Sequence, residues 1–282
     1  MKTESLTGAK RSEYRIAHIS DIHFGRIAHP AIVESLVTEI NDAGVDLVVV
    51  SGDLTQRAFP HQYRAAFQML ASFDAPWIVV PGNHDVFPWW RTFSRLFDPL
   101  RRYRRMITDD LSPQFTRDGL AVLGINSAFG RTIKGGRIDD SQRVAMRAFF
   151  GSLPDSTFRV LTVHHHLTAL EALGDHDIAH EAEATLACAA EMNVDLVLCG
   201  HLHVSHVAHV QVFPSGHPLV IASAGTATSD RGRKPHKKTN FYNQIFITDT
   251  NFDVVEHQFS PEGMVFEEVR RSTFPRIVRA GG

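Results

Sequence analysis

Nine side chains, set along the chain in five groups, are of types that ligate metals or move protons. They are Asp21 and His23 in an Asp-x-His; Asp53 after Gly52; Asn83, His84 and Asp85 after Gly82; His164; and His201 and His203 in a His-x-His after Gly200. Each group ends an apolar, strand-like run. Imidazole and carboxylate ligands without a thiolate suit Mn, Fe, Zn or Co better than a soft metal or a calcium cage. The chemistry such a set could serve is hydrolysis of a phosphate ester. The ester's negative charge repels hydroxide, and two cations about 3.5–4 Å apart both neutralise that charge and lower the pKa of bound water. Cations held that close need a bridging carboxylate, and Asp53, beside a glycine that permits close approach, is the candidate. Asp21 and His23 are alternate residues, which at the end of an extended strand would share a side, and His201 and His203 repeat the spacing.

The elements that must position these groups read as strand, loop and helix in succession. Residues 14–20 alternate and stop at Asp21, a helical stretch covers about 30–43, and a β-branched run at 45–50 ends in Ser51-Gly52-Asp53. A second amphipathic stretch at 61–73 leads into the strand 77–80. Further on come an apolar run at 120–125, a helix near 140–150, a strand at 158–163 ending in His164-His165-His166, a helix at 181–192 and a strand at 194–199. The remainder is β-rich, at 206–213, 218–223, 243–248 and 252–259. Near-continuous apolar strands separated by helices imply buried parallel strands, with ligands held beyond their carboxyl ends. The two halves imply two sheets packed face to face with helices outside.

Composition bounds the rest. A chain of 282 residues with 43% hydrophobic content can bury one large α/β core, and residues 1–282 read as a single domain. The 29 basic and 31 acidic residues, a net charge of −2, argue against general attraction to nucleic acid or an anionic membrane; a small anionic substrate fits better. Cys188 and Cys199 lie in apolar stretches without CxxC spacing, which argues against a disulfide framework. Residues 1–15 are polar and no run of 18 apolar residues occurs, so a soluble cytoplasmic protein is expected. The segment 86–112, rich in arginine and aromatics from Trp89 and Trp90 to Arg105, reads as a helical cap-like insertion, either a solvated face or a contact to substrate or a second copy. The basic stretch from Arg231 to Lys238 is either an entrance to the site or a surface loop, and about 265–282, with Arg270, Arg271, Arg276 and Arg279, reads as a tail.

The five groups in order resemble the DxH, GD, GNH[DE], H, GHxH pattern of the calcineurin-like metallophosphoesterase superfamily, over roughly 16–229. The resemblance implies an α/β/β/α four-layer sandwich, two mixed β-sheets flanked by helices. It implies one metal on Asp21, His23, Asp53 and His203 and a second on Asp53, Asn83, His164 and His201, with manganese and iron favoured. It implies as well a hydroxide bridging the metals as nucleophile, with His84 as a transition-state contact or proton donor and Asp85 orienting it. Ser51-Gly52-Asp53-Leu54-Thr55, Pro81-Gly82-Asn83-His84-Asp85 and Ala224-Gly225-Thr226-Ala227-Thr228-Ser229 are most similar to bacterial cyclic-nucleotide and glycerophosphodiester phosphodiesterases. The chain departs from the protein phosphatases, which carry GDxxDRG where it has Gly52-Asp53-Leu54-Thr55-Gln56-Arg57. It also has His164-His165-His166-Leu167 where HHP is usual, so a shift of one would make His165 the ligand. The expected activity is therefore hydrolysis of a small phosphodiester. A nuclease, a phosphomonoesterase and a non-enzymatic scaffold of the same fold are the alternatives, and the oligomeric state is left open.

Overall fold

A computed structural model describes residues 13–132, 135–169, 177–211, 217–233 and 236–277. In chain order its elements are β1 (Tyr14–Ile19), α1 (Ile32–Asp42), β2 (Leu47–Val50), α2 (Pro60–Leu70), β3 (Trp77–Val79), α3 (Thr92–Phe97), α4 (Arg101–Met106), β4 (Gln114–Arg117) and β5 (Leu120–Ile125). There follow α5 (Asp140–Gly151), β6 (Phe158–Val163), α6 (Ala182–Glu191), β7 (Leu196–Cys199), β8 (His206–Gln211), β9 (Pro218–Ser223), β10 (Phe241–Ile247), β11 (Asn251–Ser260) and β12 (Val265–Pro275). They form two six-stranded mixed sheets, ordered β12-β11-β10-β1-β2-β3 and β4-β5-β6-β7-β9-β8. In the first, β1, β2 and β3 run parallel and β10, β11 and β12 form an antiparallel meander on β1. In the second, β5, β6, β7 and β9 are parallel.

The alternation of each strand decides the layers, because successive side chains point to opposite faces. Ile16, Leu47 and Val49 face Leu120, Val122, Val160 and Leu198 between the sheets. Their neighbours Ala17, Ile19, Val48 and Val50 face outward onto Ile32, Leu36 and Ile40 of α1 and Tyr63, Ala66 and Leu70 of α2. On the far side Leu161, Val163, Val197 and Cys199 meet Met146 and Phe150 of α5 and Leu186, Ala189 and Ala190 of α6. Strands buried on both faces are therefore largely apolar, and the layers are α/β/β/α, as expected.

Two strands correct the sequence reading. The expected tail at 265–282 contains β12, which pairs antiparallel with β11 along its whole length, with a bulge at Glu256/His257. In that strand only Phe266 is buried, so apolar alternation could not reveal it; backbone hydrogen bonding to β11 holds it in place. Residues 278–282 of the expected tail lie outside the described residues. The exposed strand β4 was missed for the same reason and hairpins onto β5. The expected strand at 206–213 is β8 to Gln211, and positions 212–213, like 1–12 and 234–235 of the basic stretch, are outside the description. The cap-like segment holds two short helices: α4 is anchored by Tyr103, whose hydroxyl donates to the Val79 carbonyl at 2.9 Å, whereas α3 buries no residue. No helix among the described residues is long and apolar enough to cross a membrane.

Candidate metal centre

The loops after β1, β2, β3, β6 and β7 carry the nine candidate residues, and they meet where the carboxyl ends of the parallel strands of both sheets converge. Their backbone is not extended. Asp21, His23, Asp53, His201 and His203 all have left-handed φ, between 52° and 69°. A non-glycine residue there costs on the order of 1 kcal/mol, and such strain gathers at functional sites. The expectation that alternate residues share a side of a strand thus grouped the right residues through the wrong conformation. Other loops hold the strained turn in place: the Asp21 and His23 amides donate to the Gly52 and Asp53 carbonyls at 3.0 and 2.9 Å. Thr226 and Thr228 hydroxyls donate to the Asp21 and Ile22 carbonyls at 2.6 and 2.7 Å. The Ala224–Ser229 motif therefore acts as a clamp on the first ligand loop. Gly52, at φ +102°, is obligatory, since a Cβ there would lie 2.6 Å from His164 Nδ1.

Four candidate ligand atoms form the first cluster. His23 Nε2 lies 3.3 Å from His203 Nε2, 3.6 Å from Asp21 Oδ1 and 3.5 Å from Asp53 Oδ2, and His203 Nε2 lies 3.2 Å from Asp21 Oδ1. Among the described residues, Asp21 Oδ1 and Asp53 Oδ2 are buried without a hydrogen-bond partner. Two imidazole nitrogens and two orphaned carboxylate oxygens converging at these separations fit a single cation, because bonds of about 2.0–2.2 Å in a tetrahedral shell put neighbouring ligands about 3.3–3.6 Å apart. The tautomer agrees. His23 Nδ1 donates to the Thr55 carbonyl at 3.3 Å, which leaves Nε2 facing the cluster, the usual second contact of a metal-bound histidine.

The other oxygen of Asp53 faces a second set. His164 Nε2 lies 3.5 Å from Asp53 Oδ1 and 3.2 Å from Asn83 Oδ1, and His201 Nδ1 lies 3.1 Å from the same Asn83 oxygen. His164 Nδ1 faces the Ser51 carbonyl at 2.7 Å. His165 is close, its ring centroid 4.6 Å from that of His201, and His164, His165 and His201 could together hold an ion. Its Nδ1, however, pairs with the Ser127 hydroxyl at 2.8 Å, so His164 is the histidine brought to Asn83 and Asp53. His166 is a buried group between β6 and β9, 3.1 Å from the Ser223 hydroxyl.

His84 borders the first cluster, its ring edge-on to His23 at 4.8 Å. Asp85 does not orient it, contrary to expectation. The Asp85 carboxylate accepts from the Gly82, Leu54 and Thr55 amides at 3.0–3.1 Å and from the Thr55 hydroxyl at 3.0 Å, binding the Asp53 loop to the Asn83 loop. The His84 ring is held instead by the Gln56 carbonyl, 2.8 Å from Nδ1, and by Arg231 Nη1, which donates to Nε2 at 2.7 Å. Neither Gln56 nor the contact of Arg231 was singled out from sequence; no spacing rule links positions 147 apart. Of the basic stretch, Arg231 lines a cavity of about 310 Å³ together with Arg57, Asn83, His84, Trp89 and Arg95.

Charge in the centre is mutually compensated. Burial works to raise Asp21 and Asp53, yet His203 and His23 around the former and His164 and His84 around the latter hold both below the usual carboxylate range. Burial works against a charge on His164, but Asp53 and the Ser51 carbonyl raise it to about 9. Burial lowers His84 to about 4 and His203 to about 3, and burial with the neighbouring imidazoles lowers His201 well below its ordinary value. Asp85 is raised to about 6 by burial and by Asp53. The neutral imidazoles of His201 and His203 and the ionised carboxylates of Asp21 and Asp53 are in the protonation states that metal ligation requires, whereas His164 would have to give up its proton to an arriving ion.

Comparison with known proteins gives the same architecture and a family. Residues 14–205 match the family model of the calcineurin-like phosphoesterases. The chain is 27% identical over 215 residues to the 3',5'-cyclic adenosine monophosphate phosphodiesterase CpdA of Escherichia coli K12, covering 71% of this chain and 73% of that protein. It is 29% identical over 204 residues to the glycerophosphodiester phosphodiesterase GpdQ of Enterobacter lignolyticus, covering 67% and 70%. Among solved structures, a dimetal phosphatase from Danio rerio superposes with a TM-score of 0.63 at 13% identity, covering 94% of this chain and 99% of that one. A purple acid phosphatase from yellow lupin, Lupinus luteus, superposes at 0.65 and 11% identity, covering 94% of this chain and 54% of the lupin chain.

Proposed function

The chain belongs to the calcineurin-like phosphoesterase family, and from that premise we propose that it is a binuclear metal-dependent phosphodiesterase acting on a small diester, a cyclic nucleotide or a glycerophosphodiester. Asp21, His23, Asp53 and His203 would hold one ion, and Asp53, Asn83, His164 and His201 the other. The observation that carries the reading is Asp53, one oxygen of which faces each ligand set. Two bound cations, from Mn, Fe, Zn or Co, would neutralise the ester and lower the pKa of water enough to supply hydroxide at neutral pH.

The chain's own groups supply the rest. His84 and Arg231 stand together at the cavity side of the first cluster, placed to contact the equatorial oxygens or the leaving group of a diester. Asp85 and the Thr226 and Thr228 hydroxyls are positioning residues that fix the Asp53 and Asp21 loops. A cavity of about 310 Å³ suits a small substrate, and the activities for which CpdA and GpdQ are named support a diester.

The test is metal content by elemental analysis, with hydrolysis of bis(p-nitrophenyl) phosphate after chelation and return of manganese. Close to two ions per chain, restored turnover and a preference for this diester over the monoester are expected. A chain that binds no metal under any condition, or that prefers the monoester, would overturn the reading.

A further inference from the structure

The nine residues from Trp89 to Phe97 expose five large apolar side chains: Trp89 at 67%, Trp90 at 47%, Phe93 at 80%, Leu96 at 52% and Phe97 at 83%. Phe93, Leu96 and Phe97 share one face of α3 at i, i+3 and i+4, and the Trp89 and Trp90 rings meet edge to face at 5.7 Å. With about 150–250 Å² for a large aromatic, their exposed area is on the order of 600 Å², at the top of the range for the largest patch on a soluble monomer. The segment is rich in cations: between residues 89 and 105 stand six arginines and one aspartate, in a chain whose net charge is −2. Arg95 and Arg102 donate to main-chain carbonyls and Arg104 pairs with Asp98, while Arg91, Arg101 and Arg105 are exposed. Arg91 is exposed between Trp90 and α3, and the Arg57 guanidinium lies 6.0 Å above a Trp90 ring.

We propose that this segment is a docking surface for a lipid bilayer with anionic headgroups. Aromatic and leucine side chains beside arginines form the pattern of an interfacial helix, in which the rings enter the headgroup boundary while the guanidinium groups pair with phosphate. Charge complementarity selects this occupant over a second copy of the chain. A two-fold self-interface would lay the same arginine-rich surface against itself, whereas anionic lipid neutralises it. Trp89 lines the cavity beside His84, so docking would bring the cavity mouth to the headgroup plane. This last consequence, access to diesters presented at the lipid surface, rests on the proposed phosphodiesterase reading; the docking itself does not.

The experiment is co-sedimentation of the full chain with vesicles of phosphatidylcholine alone or containing about 30% phosphatidylglycerol, at low salt and at about 0.5 M salt. Binding to the anionic vesicles is expected, weaker to the neutral ones and weaker in high salt. Phe93→Ser with Phe97→Ser, both exposed and outside the cavity lining, should lower partitioning at least about 10-fold while circular dichroism stays unchanged. Failure to sediment with anionic vesicles, or equal sedimentation of the double variant, overturns the proposal. So does a wild-type dimer in light scattering that the double variant dissociates, which would give the surface to a second copy. Loss of the phosphodiesterase reading would appear separately, as no diester turnover with manganese, and would leave the vesicle result standing.

Discussion

The loops around Asp53 bury two carboxylates among imidazoles, while the segment 89–97, a short way along the same chain, leaves five large apolar side chains in water. Both regions invert the ordinary distribution of side chains, and they do so with different support. In the first, polar residues are held by partners from other loops: Asp85 by the Leu54 and Thr55 amides and the Thr55 hydroxyl, Asp21 by Thr226, His23 by Thr55. In the second, α3 buries nothing and has no side-chain cap. A site for small ions needs ligand atoms placed to tenths of an ångström before they arrive, whereas a surface meeting a broad apolar phase needs only rings in the right place. The difference predicts how each region responds to change.

The largest effect should come from Asp53→Ala. Removing a carboxylate that faces both ligand sets should abolish binding of both ions and lower bis(p-nitrophenyl) phosphate turnover by at least about 10⁴-fold, as read by elemental analysis and kinetics. Retention of one ion with partial activity would mean that the two sets are independent. His84→Ala should keep both ions and lower turnover by about 10²–10⁴-fold. An emptied site would instead make His84 a ligand.

Acid sensitivity of the metal-free chain is the next contrast. His18, buried between the sheets, is pushed by burial down to about 3, as is His203, and His84 is lowered to about 4. A histidine whose folded pKa lies below its unfolded value of about 6.5 contributes fully above that value and loses its contribution as pH falls. His164 has the opposite sign, contributing fully below 6.5 and losing that contribution as pH rises toward 9. The urea midpoint should therefore fall between pH 7 and pH 5, each additional proton on the unfolded chain costing up to about 1.4 kcal/mol per pH unit. A midpoint constant to pH 5 would show that these imidazoles are not held neutral. The smallest effect belongs to the exposed segment: Phe93→Ser with Phe97→Ser should move the same midpoint by no more than about 0.5 kcal/mol of stability per site. A larger loss would mean that α3 packs on the body of the molecule.

The parallel strands and the residues at their ends were legible because a strand buried on both faces is largely apolar, as 47–50 is throughout and 158–163 is but for Arg159 and Thr162, and because the candidate ligands follow directly in sequence. What escaped the sequence was held by other forces. Strand β12 is exposed at most positions and rests on main-chain pairing, and its scattered apolar residues keep no regular alternation. The left-handed turns at Asp21 and His201 are held by hydrogen bonds between loops far apart in sequence, so local propensity pointed to extended strand instead. Asp85 beside His84 invited a contact between neighbours, but the carboxylate turns inward to the amides of 54 and 55. Whole-chain charge, which argues against an anionic membrane, averages the arginines of 89–105 with acidic residues elsewhere and so does not weigh the surface proposed for that segment.

Each candidate ligand set draws on both sheets: Asp21 and His23 follow β1 and His203 follows β7, while Asn83 follows β3 and His164 and His201 follow β6 and β7. Neither half of the chain holds a complete set. During refolding the strands and helices of each layer can form early, yet a tight site exists only after the two sheets have docked in register. Ion uptake followed in time would therefore report the docking of the two sheets, and an ion once held would act as a rivet across the sandwich, opposing their separation.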